Sequence, residues 1–108
     1  MLELNWAFEH IATALSKLLI AQVNQGVPEL PSAVRLIQTD SRLVEKGDLF
    51  VCLIGERFDA HDFAGQVMKS GAAALVTNRV LDLPIHQFVV NDTRLALGAL
   101  ASAWRQQF

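Results

Sequence analysis

The chain has 108 residues, 52% hydrophobic and 19% charged, which is enough apolar material to close one core and too much for a disordered segment. Nine Lys and Arg against eleven Asp and Glu leave a net charge of −2, so no basic excess exists to neutralise a phosphate backbone, and nucleic acid is not the expected partner. The single cysteine, Cys52, excludes an internal disulfide and a cysteine-rich zinc site and suits a reducing compartment.

Residues 1–5, Met1-Leu2-Glu3-Leu4-Asn5, carry an acid where a secretory signal needs positive charge. Residues 14–23, the most apolar stretch, are broken by Lys17 and Gln22 and are too short to span a bilayer. A soluble, cytoplasmic domain with no membrane partner is expected. The first element is an amphipathic helix over residues 6–19, with Ile11, Ala14, Leu15 and Leu18 on one face and Asn5 as N-cap. Gly26, Pro28 and Pro31 make residues 24–32 a loop joining two short strands. Residues 34–39 alternate as a strand, with Val34, Leu36 and Gln38 opposite Arg35 and Ile37.

Residues 40–62 hold nine of the twenty charged groups, six acids and three bases. Within them lies the wholly apolar run Leu49-Phe50-Val51-Cys52-Leu53-Ile54, bounded by Gly47 and Gly55. Such a run suits a strand buried on both faces of a helix-covered sheet. A helix over residues 62–70 follows, with Phe63, Val67 and Met68 inward and Gly71 as its C-cap. Strands are predicted at residues 72–77 and 87–90. A last helix, capped by Asp92, places Leu97, Leu100, Ala101 and Trp104 on one face. The fold class that follows is α/β, a small single domain with a mixed, partly parallel sheet flanked by helices.

Familiar catalytic motifs are missing. None of Lys17, Lys46 and Lys69 follows a glycine, so there is no phosphate-cradling Gly-Lys loop, and no Gly-x-Gly-x-x-Gly occurs. Cys52 lies inside the apolar run, where its thiolate is disfavoured, and reads as a small core residue. Ser41 has no histidine nearby in sequence to act as its base. Asp59, His61 and Asp62 have ligand-like spacing, but they read as caps of the following helix, and no metal is expected. What remains is a binding surface: Thr39-Asp40-Ser41-Arg42 before the buried strand and Gly55-Glu56-Arg57-Phe58 after it. Arg42 and Arg57 offer forked donors for phosphate, Ser41 a hydroxyl and Phe58 a flat face for a base. The same residues also suit solvated turns with local ion pairs.

Thr39-Asp40-Ser41-Arg42, Gly47-Asp48-Leu49-Phe50-Val51, Gly55-Glu56-Arg57-Phe58-Asp59-Ala60-His61-Asp62-Phe63, Gly71-Ala72 and Asp92-Thr93-Arg94-Leu95-Ala96 occur in the order found in one family. Over about residues 34–108 the chain resembles the N-terminal domain of the Mur ligases. Within the family, the loop at residues 56–63 and the Asp92-Thr93-Arg94 helix start are more similar to the branch that adds D-alanyl-D-alanine than to the branch that adds diaminopimelate or lysine. The resemblance implies that the domain binds the UDP portion of UDP-N-acetylmuramoyl-tripeptide for peptidoglycan synthesis and is not catalytic alone. It implies substrate-binding roles for Thr39, Asp40, Ser41, Arg42, Gly55, Glu56, Arg57 and Phe58. ATP and magnesium would serve the full-length enzyme through central and C-terminal domains beyond Phe108, and this chain itself would hold no cofactor. Three other readings stay open: the related ligase that adds the third peptide residue, a protein-interaction module using Trp104 and Phe108, and a small enzyme using Asp59, His61 and Asp62.

Overall fold

Leu49, Phe50, Val51 and Cys52 are fully buried, and their side chains divide between two cores. In the computed structural model, which describes residues 6–24 and 33–107, Leu49 and Val51 enter one core while Phe50 and Cys52 enter the other. A strand alternates its side chains across the sheet, so burial on both faces requires an uninterrupted apolar run. This strand, β3 (Leu49–Val51), lies between β2 (Ile37–Gln38) and β4 (Ala74–Thr77), followed by β5 (His86–Val90) and β1 (Leu19–Val23). Strands β2 to β5 are parallel, and β1 closes the sheet antiparallel to β5, from Leu19 opposite Val90 to Val23 opposite Gln87. The first core takes Ile11 from α1 (Phe8–Ala14) and Ala96 and Leu100 from α3 (Thr93–Gln107). The second takes Ala64 and Val67 from α2 (Ala64–Lys69). The mixed, helix-flanked α/β sheet expected from the sequence is the one observed.

Several boundaries differ from expectation. The first helix ends at Ala14, not at residue 19: the Leu18 and Leu19 amides turn back to the Leu15 carbonyl, and the chain then pairs with β5 as β1. Its inward face is as predicted, with Ile11 and Leu15 buried and Ala14 and Leu18 packed against them. Its N-cap position is Ala7, with no side-chain cap; Asn5, like most of the expected loop at residues 24–32, lies outside the described residues. The expected strand at residues 34–39 contracts to β2, while Val34 forms a separate bridge with Trp6. The apolar run leaves the sheet after Cys52, so Ile54 is exposed.

The helix expected over residues 62–70 begins as the 3₁₀ turn Ala60–Phe63 and continues as α2. Three residues per turn shift the phase relative to α2, so Phe63 points outward at 42% exposure while Val67 and Met68 face the core. Gly71 ends α2 as predicted. At φ +104° its amide bonds the Met68 carbonyl and the Ala72 amide bonds that of Val67, the paired closure that glycine permits. Asp92 caps α3 through Oδ1, which accepts from the Arg94 and Leu95 amides. Ala101 is exposed; Thr93 and Ala96 join Leu100 on the buried stripe instead.

Among the buried polar side chains, Asp48, Gln87 and His86 have partners that tie the sheet to its loops and to β1. Asp48 pairs with Arg35 Nε at 2.9 Å and accepts the Glu45 amide at 2.8 Å, holding the turn before β3. Gln87 accepts from the Leu81 amide and donates to the Leu81 carbonyl, both at 2.8 Å, which secures the return from β4 to β5. His86 donates through Nε2 to Gln22 at 3.0 Å, stands between the Phe8 and Phe88 rings, and leaves Nδ1 without a partner. Burial lowers the His86 pKa, so the folded state favours the neutral ring. An unfolded histidine takes its proton near about pH 6.5. Stability from this residue is therefore complete above that pH and declines as pH falls below it. Urea unfolding between neutral and mildly acidic pH should show that decline, and His86→Leu should flatten it; equal slopes for the two proteins would refute the assignment.

Candidate functional site

Because β2 to β5 are parallel, their carboxyl ends share one edge of the sheet, the edge at which ligands gather in open α/β folds. Residues 39–42 leave β2 there and residues 52–59 leave β3 beside them. Asn78 and Arg79 follow β4, and Asn91 and Asp92 follow β5. The two loops singled out in the sequence are thus brought side by side.

In the first loop Gln38 is the organiser: its Oε1 accepts the Thr39 and Asp40 amides, both at 3.0 Å. Asp40 caps the 3₁₀ turn Ser41–Leu43 by accepting the Arg42 amide, and it binds the Arg42 guanidinium at 3.0 and 2.8 Å. The Arg42 side chain and amide hold the Asp40 carboxyl down at about 2. The Arg42 fork is therefore occupied by its neighbour, and of the amides at residues 39–42 only that of Ser41 has no partner among the described residues.

The second loop is a tight reversal closed by an Ile54–Asp59 bridge and by the Gly55 amide donating to the Phe58 carbonyl at 2.9 Å. The Phe58 ring lies directly over Gly55: a Cβ there would fall 2.2 Å from Cε1 of the ring. Glu56 and Arg57 occupy the exposed tip, and the Arg57 guanidinium makes no ion pair or hydrogen bond among the described residues.

Asp59, His61 and Asp62 do not converge on a ligand. His61 is buried; its Nδ1 donates to Asp59 Oδ1 at 2.6 Å, and its Nε2 accepts the Asn78 amide at 3.0 Å. Arg79 completes the network by bonding Asp59 Oδ2 and Asn78 Oδ1. Burial raises the Asp59 carboxyl, but the bonds from the His61 amide and ring and from Arg79 outweigh it and leave the pKa lowered. With both ring nitrogens engaged, His61 fastens the loop after β3 to the end of β4 and has no lone pair left for a substrate. Among the described residues no group of metal-ligating side chains converges anywhere. Burial, with the Asp59 charge adding to it, pushes the Cys52 thiol up to about 12, as expected of a core residue.

Sequence reasoning missed the residues after β4 and β5. Ile54, Asn78, Asn91, Asp92, Thr93 and Arg94 line a cleft of about 340 Å³ on the same edge. Applying the strand-end rule to every buried strand, and not only to the charged segment, would have found them. A larger cleft of about 610 Å³ lies between α1 and α3, lined by Trp6, His10, Ala14 and Ala103 among others. It is away from the carboxyl-end loops, and its charged complement is at most one histidine, so the strand-end edge is the better candidate. Trp104 is half-buried and packs against the first core; Phe108, the other residue of the expected apolar face, lies outside the described residues. Of the exposed large apolar side chains among the described residues, Leu43, Ile54, Phe58, Phe63 and Val80 belong to the carboxyl-end connections, Ile20 to β1 and Leu95 to α3.

The sequence profile described as "Mur ligase family, catalytic domain" matches residues 33–105. The chain belongs to the Mur ligase family. It is 55% identical over 71 residues to the UDP-N-acetylmuramoyl-tripeptide–D-alanyl-D-alanine ligase of Escherichia coli K12, which covers 66% of this chain and 16% of that enzyme. It is 41% identical over 75 residues to the UDP-N-acetylmuramoyl-L-alanyl-D-glutamate–2,6-diaminopimelate ligase of Bacillus cereus, covering 69% of this chain and 15% of that enzyme. A crystal structure of MurF from Acinetobacter baumannii superposes with a TM-score of 0.79 at 38% identity, over 99% of this chain and 22% of that one. This Mur ligase chain thus spans less than a quarter of the length of each of these relatives. No helix among its described residues is long and apolar enough to cross a membrane.

In this Mur ligase domain the Gly55–Phe58 contact yields a direct check. Gly55→Ala should swing the Phe58 ring off the loop and change the ring-current shifts of residues 55–58, with Tm nearly constant because the ring is already half exposed. Unchanged shifts would contradict the contact.

Proposed function

We propose that this chain is the N-terminal domain of a D-alanyl-D-alanine-adding Mur ligase and that it binds the UDP end of UDP-N-acetylmuramoyl-tripeptide. The observation that carries this reading is the alignment of residues 39–42 and 55–58 on one edge of a parallel sheet, in a family whose relatives are named for UDP-linked muramoyl substrates. Identity of 55% to the D-alanyl-D-alanine ligase, against 41% to the diaminopimelate ligase, supports the choice between the two branches. The work of this domain would be in the cytoplasm, where UDP-linked precursors are made.

The free groups define the chemistry. Arg57 is the unpaired cation for a diphosphate oxygen, Phe58 has an exposed face for stacking a base, and Ser41 offers a hydroxyl and an amide. Arg42 positions the turn through Asp40 and gives the ligand little. With Arg57 the one unpaired cation of these two loops among the described residues, and several acids beside it, the domain alone should hold its ligand weakly, the remaining contacts coming from the rest of the ligase. Exposed Leu43, Ile54 and Phe63 on the same edge support the packing of further ligase domains there.

ATP and magnesium, expected for the whole enzyme, do not fit these residues. The sequence has no phosphate-cradling glycine–lysine loop, and no metal-ligating cluster forms among the described residues. The reading is therefore that this domain positions the substrate while the acyl-transfer chemistry takes place outside it, although the matching profile carries the words "catalytic domain". Calorimetric titration with UDP-N-acetylmuramoyl-tripeptide should give a millimolar-range Kd that Arg57→Ala weakens about tenfold, the loss of a charge-assisted hydrogen bond. No heat at millimolar ligand, or an unchanged Kd in Arg57→Ala, would overturn the proposal.

A further inference from the structure

The loop that carries Arg57 and Phe58 is held from its base. Among the described residues, residues 55–58 make no hydrogen bond or ion pair outside their own reversal, in which the Gly55 amide donates to the Phe58 carbonyl. Their placement therefore rests on Asp59, which closes the reversal by bridging to Ile54. Asp59 Oδ1 accepts from the His61 amide at 2.9 Å and from the His61 ring at 2.6 Å, and Oδ2 accepts from Arg79 at 3.2 Å. Two links tie this base to the residues after β4: the Arg79 bond, and the Asn78 amide donating to His61 Nε2 at 3.0 Å. The two are unequal. Arg79 and Asp59 are both partly exposed, where water and salt leave an ion pair little net worth. The His61 ring is buried, and a hydrogen bond shielded from water is the stronger tether.

We propose that His61 is a positioning residue for the nucleotide: it ties Asp59 to the Asn78 amide and so fixes the reversal that presents Arg57 and Phe58. The inference rests on the reading that residues 55–58 bind the UDP end of the substrate. A loop that its ligand must order loses affinity to that ordering, and a loop fixed beforehand keeps it. The ring suits the task because an amide N–H only donates. Nε2 accepts from Asn78, Nδ1 donates to Asp59, and one rigid side chain spans both partners. In place of the ring, a Gln side chain extends to the Nε2 position and an Asn side chain only to the Nδ1 position. His61→Gln thus keeps the link to Asn78, with the residue 61 amide still on Asp59, whereas His61→Asn keeps only the links to Asp59.

Calorimetric titration of both variants with UDP-N-acetylmuramoyl-tripeptide, well below the Tm of each, separates the two links. His61→Asn should weaken binding about fivefold, the ordering cost of one or two loop side chains. His61→Gln should recover binding to within about twofold of the unsubstituted chain, since the tether to β4 is restored. A role in stability alone would lower Tm and leave both Kd values unchanged. Coupling is reciprocal, so substrate should also slow hydrogen exchange of the Asn78 amide in the unsubstituted chain. Equal Kd values in all three chains, equal losses in both variants, or an Asn78 amide that substrate does not slow would overturn the positioning role while leaving nucleotide binding intact. No heat from the unsubstituted chain would overturn the parent reading and the positioning role with it.

Discussion

A sheet of parallel strands buried on both faces obliges the chain to return across it after every strand, and that constraint places the loops after β2, β3, β4 and β5 on one edge. The burial comes from alternate side chains of one run: Leu49 and Val51 toward α1 and α3, Phe50 and Cys52 toward α2. A register slip of one residue in β3 would exchange the two sets and remove the shape match with both cores. The loops at residues 39–42 and 55–58, Asn78 and Asn91 take their positions from this packing and not from their own preferences.

At that edge Arg42 is held by Asp40 and Arg79 by Asp59; at the opposite edge, before β2 and β3, Arg35 is held by Glu45 and Asp48. What began as an excess of acids over bases in residues 40–62 is thereby largely neutralised within the fold. His61 adds a fastener between the ends of β3 and β4. Among the described residues the Arg57 and Arg94 side chains make no ion pair or hydrogen bond.

Much of this was legible in the sequence because it follows from local rules. The buried β3 run, the Gly71 and Asp92 caps and the two strand-end loops each rest on residue type and spacing alone. The sequence implies a short strand before the loop at residues 24–32 but not its start at Leu19, because helical periodicity from Ile11 to Leu18 runs past Ala14; pairing with β5 decides the matter, and that contact is distant in sequence. Phe63 was misassigned because a 3₁₀ turn changes the angular step before α2. The bond between Asp40 and the Arg42 fork is not legible either, since no pattern reveals that a side chain two residues earlier will engage it. Asn78 and Asn91 were missed because a single asparagine after a strand carries no motif, and only the parallel order of β4 and β5 brings the two to one cleft.

Hydrogen–deuterium exchange with and without UDP-N-acetylmuramoyl-tripeptide tests most directly whether the carboxyl-end edge is the substrate site. The account predicts slowed exchange at residues 39–42 and 55–58, with the cleft between α1 and α3 and the loop at residues 81–85 unchanged. Slowing centred on the α1–α3 cleft, with the carboxyl-end loops exchanging as freely as before, would contradict it.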